Sequence, residues 1–329
     1  MAFADYMIVS MFDTTGPVDA LPQEEPILLT VPENIWAERL DKVLAGLLSQ
    51  HSRSRLQGWI EAGFVHVNGT QAKVRQLVNG GDALCVWPQV PPEEGAYTAQ
   101  PVAFDVLRES PDWIVVNKPA GLVTHPGAGN WQGTLLNGLL YRFPELAQVA
   151  RAGIVHRLDK DTSGLLVVAR SETAQTHLVR QLQARTMGRE YIALVHGRTL
   201  PAGRIDQPIG RDPKVPVRMS VERPIAPKPA VTHYLCERSG EYAGLGIASL
   251  VCRLETGRTH QIRVHLASLG HPLLADTLYG GKVAGDAVRQ MLHARQLRFE
   301  DPAGGGEICV QAAVPSDMEA VMAGTQWTS

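Results

Sequence analysis

Cysteine is scarce in this chain of 329 residues: Cys85, Cys236, Cys252 and Cys309 stand far apart and form no CxxC pair. That excludes a zinc ribbon and a disulfide framework and fits a reducing, cytoplasmic compartment. No apolar run approaches the roughly 20 residues of a membrane helix. The opening "MAFADYMIVSMFD" lacks a basic start and is interrupted by Asp5 and Asp13, unlike a signal peptide. A soluble protein with no membrane partner is expected. Internal repeats, low-complexity tracts and a regular βαβ alternation are absent too, which argues against solenoids and doubly wound folds.

Several binding motifs fail on inspection. Gly127-Ala128-Gly129 lacks the third glycine of a dinucleotide fingerprint. His125, His156, His260 and His265 show no metal-ligand spacing. The run Asp159-Lys160-Asp161-Thr162-Ser163-Gly164 opens like a calcium loop, but its twelfth position is Arg170 rather than a bidentate Glu. The same run is similar to the nucleophile turn of haloacid-dehalogenase phosphatases, yet in "GDAVRQ" Gln290 occupies the place of the later acid. Phosphoryl transfer is left as a distant alternative.

Charge is present but unevenly spread. The net charge is −2. The first 37 residues hold six acids and no base, residues 299–329 hold five acids and no base, and residues 151–270 carry a net +8. Two readings fit that basic stretch: a polyanion footprint or a solvated surface.

Residues 1–36, with "TTGPVDALPQEEP", read as a flexible acidic arm. A compact module over 37–87 follows. Leu40, Val43, Leu44 and Leu47 fall at helical spacing, and "SRSRLQGWIEAG" offers Ser52 as N-cap and Gly63 as C-cap. "FVHVNG" alternates into an Asn68-Gly69 turn. This order of elements resembles the S4 RNA-binding module, with Arg53 and Arg55 in the first turn of the second helix, where phosphate is favoured. The proline-rich stretch 88–101 reads as a linker. From 102 to 329, strands such as "WIVVN", "GLLVVAR" and "YIALVHG" alternate irregularly with helices. The expected class is α+β: a mixed, largely antiparallel sheet domain behind a small N-terminal α/β module.

Charge is concentrated in "GIVHRLDKDTSGLLVVAR", Gly153 to Arg170, where it runs directly into an apolar strand. That motif, with "VVNKPAGLVTHPGAGN" (Val115–Asn130), "REYIALVHG" (Arg189–Gly197), "LETGRTHQIRVHLASLGHPLLADTLYGG" (Leu254–Gly281) and "MLHARQLRF" (Met291–Phe299), resembles the RluA-type pseudouridine synthases, most closely their RluD-like branch. The resemblance covers almost all of the chain after the arm. One departure is Ala150, where the pattern has proline.

The resemblance implies the pseudouridine synthase fold and isomerisation of uridine in RNA, with no metal or organic cofactor. It implies 23S rRNA as partner, in the helix 69 stem-loop or on the pre-ribosomal large subunit; other rRNA or tRNA uridines are the alternative. It makes Asp159 the catalytic carboxylate, Arg263 its cationic partner, Tyr191 the active-site tyrosine and Arg157 a support for the flipped nucleotide. A binding-only S4 protein would have lost Asp159. From the residues alone, Thr259 is expected to cap a helix over His260–Leu269 with core positions Ile262, Leu266 and Leu269, leaving Arg263 at the stripe's edge. Lys118-Pro119 is read as a structural turn.

Overall fold

The computed structural model describes residues 25–89, 95–127 and 129–328. The chain divides into two compact units, Met1–Glu94 and Gly95–Ser329. Most of the expected acidic arm (1–24), part of the expected linker (90–94) and Ala128 lie outside the described residues.

In the first unit the apolar spacing produces helices Leu40–Leu47 and Arg53–Glu61, the second capped by Ser52 Oγ accepting from the Arg55 amide. Gly63 follows in the left-handed conformation, as a helix C-terminus favours. Leu40, Leu44, Leu56 and Ile60 bury their side chains against a sheet ordered Ile27–Thr30, Ala83–Val86, Val65–Val67, Thr70–Gln71. Its first strand corrects the arm reading: Ile27–Thr30 pairs antiparallel with Ala83–Val86, so order begins well before residue 37. The apolar "ILL" pairs far downstream, with Leu84–Val86, a pairing that acidic, proline-rich flanks conceal.

The second unit is built on one large sheet. Its strands run in the order Ala202–Asp206, Val231–Tyr242, Leu245–Leu254, Gly188–His196, Leu292–Glu300, Ser163–Ala169, Trp113–Lys118, Asp105–Glu109. All these pairs are antiparallel except Ser163–Ala169 with Leu292–Glu300. Both faces are covered. Along Gly188–His196, Tyr191, Ala193 and Val195 join one apolar cluster while Ile192 and Leu194 join another on the opposite face, as strand alternation requires.

The parallel pair fixes where the charged turn sits. Gly164 has φ +114°, and a Cβ there would lie 2.3 Å from the Ala294 carbonyl oxygen. Only glycine lets the two backbones approach so closely. The turn before it, containing Asp159, therefore emerges one strand over from the strand that carries Tyr191, with Leu292–Glu300 between them. The expected linker is also ordered where described: Asn137 Nδ2 donates to the Ala96 and Thr98 carbonyls, at 3.0 and 2.8 Å. Residues 95–101 thus belong to the second unit. Among the described residues no helix is long and apolar enough to cross a membrane.

Candidate active site

Four successive carbonyls hold the turn that carries Asp159. Thr124 Oγ1 donates to Leu158 O (2.8 Å), the Thr162 amide to Asp159 O (3.1 Å), Lys118 Nζ to Lys160 O (2.9 Å), and Arg289 Nη1 to Asp161 O (2.9 Å). Arg289 is itself fixed by Asp317, at 2.6 and 2.9 Å. Lys118 is fully buried and also donates to Pro119 O and Leu122 O. Burial pulls its ammonium pKa down to about 7, against the attraction of Asp159 and Asp161. More than a turn residue, Lys118 joins two segments 42 residues apart. Lys118→Met should strand three carbonyls and lower stability by about 3 kcal/mol or more, read as a lower urea midpoint with an unchanged m-value.

Asp159 itself opens into a cleft of about 840 Å³, lined also by Arg157, Tyr191, His260 and Arg263. Arg263 Nη1 donates to Asp159 Oδ2 at 3.0 Å. The same guanidinium forks onto Asp276, with Nε to Oδ2 at 2.7 Å and Nη2 to Oδ1 at 2.9 Å. It also lies 5.0 Å from the Tyr279 ring centroid. Burial works against its charge, but Asp276 and Asp159 outweigh it and raise the pKa above the ordinary arginine value. Arg263 therefore presents a permanent cation to Asp159. Asp276 was not singled out from the sequence, although it lies within the quoted "LLADTLYGG" motif.

The helix bearing Arg263 departs from expectation at both ends. It spans Gln261–Ser268, and its N-cap is His260, not Thr259. Thr259 lies one residue before that cap, in a turn where Gln261 Oε1 accepts from Thr256 Oγ1 (2.8 Å) and the Arg258 amide (3.0 Å). Leu269 is exposed rather than core, whereas Gln261 to Leu266 are all buried. A helix sunk this deeply has no polar edge, so Arg263 is enclosed.

His260 adopts a left-handed conformation (φ 56°), uncommon for a side chain other than glycine. Its Nδ1 lies 2.7 Å from the Tyr279 hydroxyl, which accepts from the Met219 amide at 2.9 Å. The other ring nitrogen, Nε2, lies 3.9 Å from Asp159 Oδ1.

Tyr191 stands on the central strand, opposite Cys252 on one side and Ala294 on the other. It is 6% exposed. Burial and, to a lesser degree, Asp159 push its phenol pKa upward, so the hydroxyl remains protonated at neutral pH. Among the described residues it has no hydrogen-bond partner, which leaves ring and hydroxyl available to a ligand. The cleft walls hold six arginines against two carboxylates, Asp159 and Glu255. Such a surface suits a polyanion. Among the described residues no three His, Cys, Asp or Glu are grouped as metal ligands.

Arg53 and Arg55 belong to the other unit. Arg53 is engaged by the buried Asp41, at 2.9 and 2.8 Å to Oδ2, where Arg39 and Gln57 also bond. Burial opposes ionisation of Asp41, but these donors hold its pKa at about 2. Among the described residues the Arg55 side chain has no partner; its backbone amide donates to Ser52.

Three histidines give the second unit an acid liability. Burial pulls His125 and His293 down to about 4 and His156 to about 3. Each stays neutral in the fold but takes a proton in the unfolded chain below its ordinary 6.5. The unfolded chain thus binds more protons as pH falls from about 6.5 to about 4, and stability must drop across that window. The urea midpoint should fall steadily from pH 7 to 4.5, and His293→Gln should flatten the slope.

The model of the family described as RNA pseudouridylate synthase matches residues 112–268, and that of the S4 domain matches residues 38–84. Ribosomal large subunit pseudouridine synthase D of Neisseria meningitidis serogroup B is 47% identical over 318 residues, covering 93% of this chain and 83% of that protein. Its counterpart in Nitrosomonas europaea is 48% identical over 307 residues, covering 91% and 88%. Among solved structures, Human RNA Pseudouridylate Synthase Domain Containing 1 superposes with a TM-score of 0.55 at 30% identity, over 70% of this chain and 91% of that one. Matches that span both units, around a cleft whose walls are suited to RNA, show that the chain belongs to the RNA pseudouridine synthase family, in its S4-bearing form.

Proposed function

We propose that this enzyme converts uridines of large-subunit rRNA to pseudouridine, with the helix 69 stem-loop of 23S rRNA as its target. The observation that carries the reading is Asp159, held 3.0 Å from a buried Arg263 at the mouth of an arginine-rich cleft beside Tyr191. The rRNA assignment draws on relatives named for the ribosomal large subunit.

The isomerisation breaks the N1–C1′ bond, forms C5–C1′, and moves one proton from C5 while N1 gains another; nothing is oxidised or reduced. Asp159 is the carboxylate at C1′, as nucleophile or as an electrostatic and proton-transfer partner. Arg263 donates to it and fixes its orientation. Tyr191 stacks on the uracil, and its hydroxyl stands where the C5 proton leaves. Arg157, exposed at the cleft, supports the extruded nucleotide, while Arg53 and Arg55 contact RNA from the S4 unit. A base must leave its stack to reach this site, so a loop is the least costly place to act.

Tritium release from [5-³H]uridine in a helix 69 stem-loop transcript, compared with a tRNA transcript, tests the reading. Release from the stem-loop alone is expected. Release from tRNA alone would move the substrate, and release from neither would overturn the function.

A further inference from the structure

A second pocket, of about 220 Å³, abuts the active-site cleft and shares Arg185, Arg189, Leu254 and Glu255 with it. Arg253, Arg298 and Glu190 complete its charged lining, and no aromatic side chain faces it. A base would find nothing to stack on.

Its two carboxylates are already engaged. Glu190 accepts from Arg253 (2.8 Å) and Arg295 (3.0 Å), and Glu255 from Arg185 (3.1 Å) and His233 (2.7 Å). Among the described residues Arg189 has no carboxylate partner. It is 8% exposed, its Nε is buried without a hydrogen bond, and among the described residues its side chain donates only to the Glu255 carbonyl, 3.5 Å from Nη2. Gly257 leaves room for this guanidinium: a Cβ there would lie 2.5 Å from Nη1. Burial lowers the Arg189 pKa, and no carboxylate offsets the cost. A buried, unpaired cation weakens the fold unless something outside the chain completes it. Arg298, exposed at the rim, is likewise without a carboxylate partner among the described residues.

We propose that Arg189 and Arg298 form a subsite for one phosphodiester group of the RNA substrate, next to the target uridine. The proposal rests on the reading of the protein as an rRNA-modifying enzyme. Arg189, at the wall common to both pockets, ties the backbone down where the strand enters the cleft. Phosphate is the fitting ligand because a guanidinium fork meets its oxygens in two hydrogen bonds.

The test uses the full chain carrying Asp159→Asn, so that bound RNA is not converted, and helix 69 stem-loops with a single methylphosphonate at each linkage around the target. Neutralising one linkage should weaken binding about tenfold, as expected for loss of one charge-assisted pair. Adding Arg189→Met should cost a similar factor, make that linkage's substitution silent, and reduce the salt slope by about one. It should leave Tm unchanged or higher, because an unpaired buried charge is replaced by an apolar chain of similar length. Should Arg189→Met fail to fold, Arg298→Gln, at an exposed position, must weaken the effect of the same linkage. The proposal is overturned if no linkage loses its effect in either variant, or if Arg189→Met lowers Tm with RNA affinity intact. If the otherwise unmodified enzyme turns over the stem-loop while these couplings are absent, the subsite alone is wrong. If it neither binds nor turns over RNA, both readings fall.

Discussion

Asp159→Asn should lower turnover on the order of a thousandfold or more, the scale set by losing a positioned nucleophile or proton-transfer group. The fold should survive. An asparagine carbonyl can still accept from Arg263 Nη1, now 3.0 Å from Oδ2, and the four carbonyl contacts of the turn involve no Asp159 side-chain atom. RNA affinity should stay within a fewfold, because the variant removes a negative charge from a cleft that attracts a polyanion. Tritium release and RNA binding measured on one preparation separate these effects. Turnover within tenfold of the unsubstituted enzyme would remove Asp159 from the chemistry.

The largest loss of stability should come from Arg263→Met. The guanidinium neutralises Asp276, whose side chain is 1% exposed, and Asp159, at 16%. Deleting it leaves two carboxylates together with no cation between them, and breaking a buried pair this way costs about 3–5 kcal/mol. Activity should vanish as well, since Asp159 loses the group that orients it. Asp276→Asn should be milder, because Asn retains one acceptor for the fork. The double variant distinguishes this network from independent contacts: the penalties should fall short of additivity by about 0.5–3 kcal/mol. Strict additivity in urea denaturation would mean that Asp276 does not act through Arg263.

The sequence made local order legible and left most long-range partners hidden. Helical spacing and Ser52 marked the helix of Arg53 and Arg55, because caps and apolar periodicity are properties of adjacent residues. The long motifs marked Asp159, Tyr191 and Arg263, and the structure brings all three, with Arg157, to one cleft. Asp276 was missed because it meets Arg263 only after the chain has left the helix and turned back, through Ala275 in the left-handed conformation. Lys118 reads, with Pro119, only as part of a structural turn. Its burial depends on three carbonyls, one of them 42 residues away. The cap at Thr259 failed because the helix begins one residue later, at Gln261, with a left-handed His260 as its N-cap. The engagement of Arg53 with Asp41 was not legible because it crosses between two helices, where sequence has no period to read.

Pseudouridine mapping of total RNA from a strain lacking this gene, complemented with the intact chain or with Asp159→Asn, tests the central claim most directly. Several neighbouring uridines in helix 69 should lose modification in the deletion strain, regain it with the intact chain, and remain unmodified with Asp159→Asn. Restoration by Asp159→Asn, or loss confined to tRNA or to one uridine elsewhere in rRNA, would contradict the account.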